Sequence, residues 1–206
     1  CKNPQFAVSP EKDKITVEGK TVKKAARSVL MLNKPAGLIT TRSDEKGRAT
    51  VFSLIPQSEG HLNAIGRLDQ ATTGLLLLTN DTRLADWLTD PKNKVPRTYL
   101  VTVRGEFNED KVLKLKRGIQ DAGETLSADD IEIRKLSGRE SHLTVRLLEG
   151  KNREIRRMFS ALGHEVTRLK RVSFGDLSLG DLELGKFRKI SENELEVAFK
   201  CPKQRI

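Results

Sequence analysis

Aromatic residues are scarce in this chain: one Trp, one Tyr and seven Phe, 4% of 206 residues. Proteins that grip single-stranded nucleic acid by stacking need several exposed rings, so a non-enzymatic base-stacking module is disfavoured. Cysteine is scarcer still. Cys1 and Cys201 sit near the two ends without metal-ligand spacing, and free thiols in a reducing, cytoplasmic compartment are expected. The longest aliphatic run, Leu75 to Leu78, is far short of a membrane span, and the first residues carry no secretory-signal stretch. There is no GxxxxGK[ST] phosphate loop, no dinucleotide fingerprint and no CxxC pair. His61, His142 and His164 are scattered, each read as a surface or strand-end residue, and no metal site is expected. If the chain is an enzyme, a carboxylate or tyrosine does the work without a cofactor.

What is abundant is positive charge. Thirty-eight Lys and Arg against 28 Asp and Glu leave a net charge of +10, which favours a polyanionic partner, most simply nucleic acid. With 36% hydrophobic and 32% charged residues, the chain is globular, one sizeable domain with a small appendage. The appendage is residues 1–28, where Ile15-Thr16-Val17 reads as a short strand, Gly19 as a turn and Thr21-Val22 as its return.

From Val29 the pattern is that of a folded domain running to residue 206. Val29 to Leu32 reads as a buried strand stopped by Asn33-Lys34-Pro35-Ala36-Gly37, and Thr41 to Thr50 as a mobile basic loop. Leu84, Trp87 and Leu88 take helical spacing behind an Asp81 cap. Arg97 to Arg104 alternates as a strand. Asn108 to Arg117 is a predicted helix ending at Gly118. Ile131/Ile133 and Leu143/Val145/Leu147 give two strands, Ile155, Met158, Phe159 and Leu162 a helix closed by Gly163, and Glu165 to Phe174 another strand. Ser191 with Glu194 forms a capping box for a last helix. Without a regular βαβ beat, this predicts an α+β fold: a mixed, mostly antiparallel sheet with helices packed around it.

Three features stand out chemically. Gly66-Arg67-Leu68-Asp69-Gln70-Ala71-Thr72-Thr73-Gly74 is a Gly-bounded loop between apolar neighbours, with Asp69 its only acid; taken alone, Asp69 reads equally as a turn cap. The predicted helix from Lys151 to Met158 opens a stretch that holds Lys151, Arg153, Arg156, Arg157, Arg168, Lys170 and Arg171 against Glu154 and Glu165. This is either a solvated face or a phosphate-contacting one with one Arg turned to a carboxylate. Tyr99, the lone tyrosine, is either a packing residue or a ring at a pocket edge.

Taken in order, LNKPAG (32–37), GRLDxxTxGLLLLTND (66–81), RTYLVTV (97–103) and EGKNREIRRMFxxxGHxVxRLxR (149–171) resemble the bacterial ribosomal-RNA pseudouridine synthases of the RsuA/RluB/RluE type, over about Val29 to Ile190. The resemblance implies a pseudouridine synthase fold, a long sheet in two subdomains flanking a basic catalytic cleft. It implies isomerisation of a specific uridine in ribosomal RNA, the large-subunit RNA favoured, with no cofactor. Asp69 matches the catalytic aspartate, Tyr99 the tyrosine that lies against the target base and helps remove its C5 proton, and Arg156 the basic residue paired with the carboxylate. Arg67 matches the arginine that occupies the space left by the extruded base, while Lys34 and Pro35 match a motif supporting the loop.

Breaking N1–C1′ and forming C5–C1′ needs no redox change, but it does need a closed pocket and a base taken out of its stack. The carboxylate could attack C1′ or the base ring, or take the 2′ proton. RNA contacts are expected from Arg42, Lys46 and Arg48 in the loop and from Lys151, Arg153, Arg157, Arg168, Lys170 and Arg171. The expected partner is ribosomal RNA, free or in pre-ribosomal particles, met by a monomer without an obligatory protein partner. Many members carry Gln where Glu154 stands and Gly where Thr82 follows TND. Most begin with a small RNA-binding domain, of which residues 1–28 resemble the tail. Transfer RNA as substrate, or a silent ribosome-assembly factor on the same scaffold, are the alternatives.

Overall fold

The computed structural model describes residues 16–17, 19–21 and 26–199; Cys1 and Cys201, and with them the expectation of free thiols, lie outside these. In chain order the elements are β1 (Thr16–Val17), β2 (Lys20–Thr21), β3 (Val29–Lys34), β4 (Asn63–Ile65), β5 (Thr73–Thr79), α1 (Thr82–Thr89), β6 (Arg97–Arg104), α2 (Glu109–Arg117), β7 (Ile119–Asp121), β8 (Glu124–Leu126), β9 (Asp130–Leu136), β10 (Glu140–Leu147), α3 (Glu154–Ala161), β11 (Val166–Phe174), β12 (Leu177–Ser178), β13 (Phe187–Lys189) and α4 (Glu192–Phe199). Strands β1 and β2 pair as a hairpin around Gly19. No helix among the described residues is long and apolar enough to cross a membrane.

The run Leu75–Leu78 is explained by a strand covered on both faces. Leu30, Leu32, Leu76 and Leu78 join one core with Val101, Val103, Leu143, Val145 and the Ile155, Met158 and Phe159 of α3. The alternate residues Val29, Met31, Leu75 and Leu77 join a second core with Leu84 and Leu88 of α1 and Leu195, Ala198 and Phe199 of α4. Each fully buried leucine contributes roughly 2 kcal/mol, so β5 is held from both sides and the loop entering it starts from a rigid end.

The main sheet runs β13-β3-β5-β11-β6-β10-β9, with β4 added to β5 and β12 to β11. Every pairing in it is antiparallel except β5 with β11, which meet in parallel through Thr73↔Lys170 and Gly74↔Arg171. The expected α+β, mostly antiparallel sheet is therefore present. The parallel seam joins its two halves and leaves no room for a side chain at Gly74: a Cβ there would lie 2.1 Å from the Arg171 carbonyl oxygen, at φ 102°.

Helix ends follow their sequence signals. Asp81 accepts hydrogen bonds from the Arg83 and Leu84 amides, so Thr82 opens α1 normally, and Asn108 accepts from the Lys111 amide at the start of α2. Ser191 and Glu194 cap α4 reciprocally. One boundary is corrected. The helix expected from Lys151 begins only at Glu154, because Arg153 takes a left-handed conformation (φ 49°) and ends a turn rather than starting one.

Candidate active site

The loop 66–72 is built on Lys34. This side chain is fully buried, and its Nζ donates to the carbonyl oxygens of Pro35 (3.0 Å), Asp69 (3.1 Å) and Thr72 (2.9 Å). Burial lowers its pKa to about 8, with the Asp69 charge opposing. Thr40 Oγ1 donates to the Leu68 carbonyl, and the Gly37 amide donates to that of Gln70. The NKPAG segment is thus a floor of donors that fixes the loop's main chain and leaves the Asp69 side chain free to point elsewhere.

That side chain lines a cavity of about 420 Å³ whose walls include Tyr99, Arg156, Arg97, Arg171 and Phe174. Loop, β6 and α3 therefore bring Asp69, Tyr99 and Arg156 to one place. Two guanidinium groups address the same carboxylate oxygen. Arg153 Nη1 donates to Asp69 Oδ2 at 3.0 Å, whereas Arg156 Nε stands 3.8 Å away. Arg156 is anchored instead by Nη1 on the Val166 carbonyl, 2.9 Å. Its pKa is lowered, first by burial and then by the charge of Arg153, with Asp69 opposing. Spacing had placed Arg153 among phosphate contacts; its direct bond to Asp69 follows from the left-handed turn, which no residue type in the sequence announces.

The cavity floor is more highly charged than the sequence suggested. Arg97 and Arg171 are both buried, with guanidinium carbons 4.9 and 5.1 Å from the Phe174 ring centre. Arg97 donates to the Leu88 carbonyl and Arg171 Nε to that of Leu75. Arg171, expected to contact RNA, lies buried on the central strand β11 and lines the cavity, where a cation is kept by aromatic and carbonyl partners. Beside them Glu154 is buried. Its Oε2 accepts from the Lys151 amide, 3.0 Å, its Oε1 has no partner, and burial raises its pKa to about 7.

A second cavity, of about 710 Å³, opens from Asp69 toward the 39–48 loop and is lined by Arg67, Lys46, Arg48, Lys151 and Arg153. Arg67 and Lys46 are exposed. Arg48 is held by Asp44, Lys151 by Glu149, and Arg42 by His61, Asn63 and the Leu62 carbonyl. A third cavity, of about 730 Å³, follows α3 past Arg153, Arg156, Arg157 and His164. Arg157 is occupied by Asp121 and Glu124. Arg168 is exposed and Lys170 half-buried on β11. The seven cations between positions 151 and 171 thus do not form one face, because turn, helix and strand point them in different directions. His164 is buried, its Nδ1 on the Arg104 carbonyl and its ring edge on Phe107, a packed residue rather than a surface one.

A loop carboxylate between basic cavities, on a sheet continuous across its parallel seam, fits an enzyme that acts on a polyanion. Residues 28–161 match the family model described as RNA pseudouridylate synthase. An RNA pseudouridine synthase of Aquifex aeolicus, named as uncharacterised, is 37% identical over 94% of this chain and 78% of its own length. Ribosomal large subunit pseudouridine synthase B of Pseudomonas aeruginosa is 38% identical over 90% of this chain, which spans 50% of that relative. A crystal structure of a pseudouridylate synthase superposes with a TM-score of 0.75 at 31% identity, covering 95% of this chain and 84% of that one. The chain belongs to the RNA pseudouridylate synthase family.

Proposed function

We propose that this protein isomerises a specific uridine of ribosomal RNA, in the large subunit, to pseudouridine, with Asp69 as the catalytic carboxylate. The observation that carries this is the position of Asp69 at the junction of two cavities, one walled by Tyr99, Arg97, Arg156 and Arg171 and the other by Arg67, Lys46, Arg48 and Lys151. Two other acids, Glu149 and Glu154, line the first cavity, but neither lines the second. Asp69, its side chain 35% exposed, is the acid common to both, where a swung-out nucleotide would meet it. The name carried by the Pseudomonas relative supports the large-subunit RNA as substrate.

In this reading the target uridine leaves its stack and enters the cavity, where the Tyr99 ring lies against the base. Asp69 initiates cleavage of the N1–C1′ bond. The detached uracil turns within the cavity, C5 bonds to C1′, and the C5 proton leaves with the help of Tyr99 while N1, freed of its bond to C1′, gains a proton. Arg156 balances the Asp69 charge throughout. Arg67, exposed at the mouth, fills the gap left in the RNA, and Lys46, Lys151, Arg153, Arg168 and Lys170 face its phosphates, with Arg42, hydrogen-bonded to neutral partners, and Arg48 and Arg157, ion-paired, contributing charge from where they are held. The protein works as a monomer in the cytoplasm, on free RNA or on a pre-ribosomal particle, and residues 1–28 are the tail of an RNA-binding module ahead of the catalytic domain. Pseudouridine maps of ribosomal and transfer RNA from cells with and without the protein test this. One ribosomal position that vanishes with the gene supports the proposal; a vanished transfer-RNA position, or no change, overturns it.

A further inference from the structure

Arg153 holds a place that the proposed reaction does not explain. Its guanidinium is the nearest cation to Asp69 Oδ2, at 3.0 Å, yet the pair is solvent-facing, with side chains 54% and 35% exposed. Exposed pairs of this kind contribute about 0–1 kcal/mol. Arg156 reaches for the same oxygen from behind, with a side chain only 18% exposed, an Nε that has no hydrogen-bond partner and a fixed anchor on Val166. Two cations therefore compete for one oxygen, and the better-anchored one is the farther away. The two also repel, for the charge of Arg153 makes Arg156 easier to deprotonate.

Position separates them further. Arg153 lines the three cavities described above: the one between Asp69 and Tyr99, the basin under the 39–48 loop and the groove along α3. An RNA strand delivering a nucleotide to Asp69 from the basin or the groove passes this guanidinium. Its left-handed main chain (φ 49°), unusual for a residue with a side chain, sets it at that crossing.

Resting on the pseudouridine synthase reading, we propose that Arg153 is a substrate-released positioning residue: it covers Asp69 Oδ2 in the free protein and leaves it for an RNA phosphate beside the target nucleotide. Charge-assisted Arg–phosphate bonds are strong and bidentate, while the contact given up is weak, so the exchange favours the phosphate. Once Arg153 has left, Arg156 is the guanidinium that remains beside the Asp69 carboxylate. Its uncovered oxygen loses a hydrogen-bond donor and is the more reactive for it. Asp69 is thereby exposed only when RNA is in place.

The test compares Arg153→Gln, Arg153→Lys and Arg156→Gln in the full chain, by tritium release from transcribed large-subunit ribosomal RNA labelled at uridine C5. Arg153→Gln should raise KM about tenfold, keep kcat within about twofold, and reduce the slope of log affinity against log salt by about 0.7–0.9, one phosphate contact. Arg153→Lys should restore much of the affinity and the slope, and it serves alone if the Gln variant does not fold. Arg156→Gln should lower kcat at least a hundredfold. The proposal is overturned if Arg153→Gln lowers kcat as far as Arg156→Gln does, or if KM and salt slope stay at wild-type values. No release by the wild-type protein would instead strike at the pseudouridine synthase reading, and the inference would fall with it.

Discussion

Lys34 Nζ lies 3.1 Å from the main-chain oxygen of Asp69, so a buried cation on one strand holds the backbone of the proposed catalytic residue 35 positions along the chain. Removing that ammonium takes a donor from the carbonyl oxygens of Pro35, Asp69, Gln70 and Thr72, of which Asp69 and Gln70 keep the Thr72 and Gly37 amides. Lys34→Met should cost about 3 kcal/mol, the scale of unsatisfied buried polar groups, and lower turnover at least tenfold. Urea denaturation read beside the tritium-release assay measures both.

Asp69→Asn keeps the shape and removes the charge. Tritium release should fall at least a thousandfold while RNA affinity, by filter binding, changes less than about threefold. Normal turnover by this variant would remove Asp69 from the chemistry.

Glu154 gives a pH dependence of stability. Its folded pKa, raised by burial to about 7 from 4.5, exceeds its unfolded value, so the folded protein holds a proton that the unfolded chain has released between those values. The stability associated with that proton is fully present below pH 4.5 and is lost as pH rises through 7. Glu154→Gln cannot ionise and should be more stable than wild type at pH 8 by on the order of 2 kcal/mol. The difference should vanish near pH 4. Urea midpoints at the two pH values decide it, and an equal difference at both would contradict the assignment.

At the seam of the sheet, Gly74→Ala would put a Cβ 2.1 Å from the Arg171 carbonyl oxygen in a left-handed conformation. Strand β5 or β11 must then shift. A loss of at least about 3 kcal/mol is expected, seen as a lowered unfolding midpoint or as insoluble protein, with tritium release falling in the same preparation.

Local signals were legible where one stretch of chain determines its own conformation. The Asp81 and Ser191 caps, the alternation from Arg97 to Arg104, and the aliphatic run of β5 each need only neighbouring residues. What could not be read depends on pieces far apart in sequence. The parallel pairing of Thr73 and Gly74 with Lys170 and Arg171 has no local mark, and it is what turns Arg171 inward. Nor does composition predict a left-handed arginine at position 153, so the sequence puts the start of α3 three residues early and gives no sign of the bond from Arg153 to Asp69. Asp69, Tyr99 and Arg156 were singled out by resemblance; that they share one cavity could not come from spacing, since they sit on a loop, a strand and a helix.

The two-rung parallel seam also sets an order of assembly. The carboxylate arrives with β4 and β5, its guanidinium neighbours with α3, and the long-range closure of β5 against β11, with the core that β5 and α3 share, draws these groups within reach. Contacts of such sequence separation are slow to form. A nascent or partly unravelled chain therefore carries the acid and its cations apart, and the capacity to cut a glycosidic bond should emerge last, after both halves have ripened.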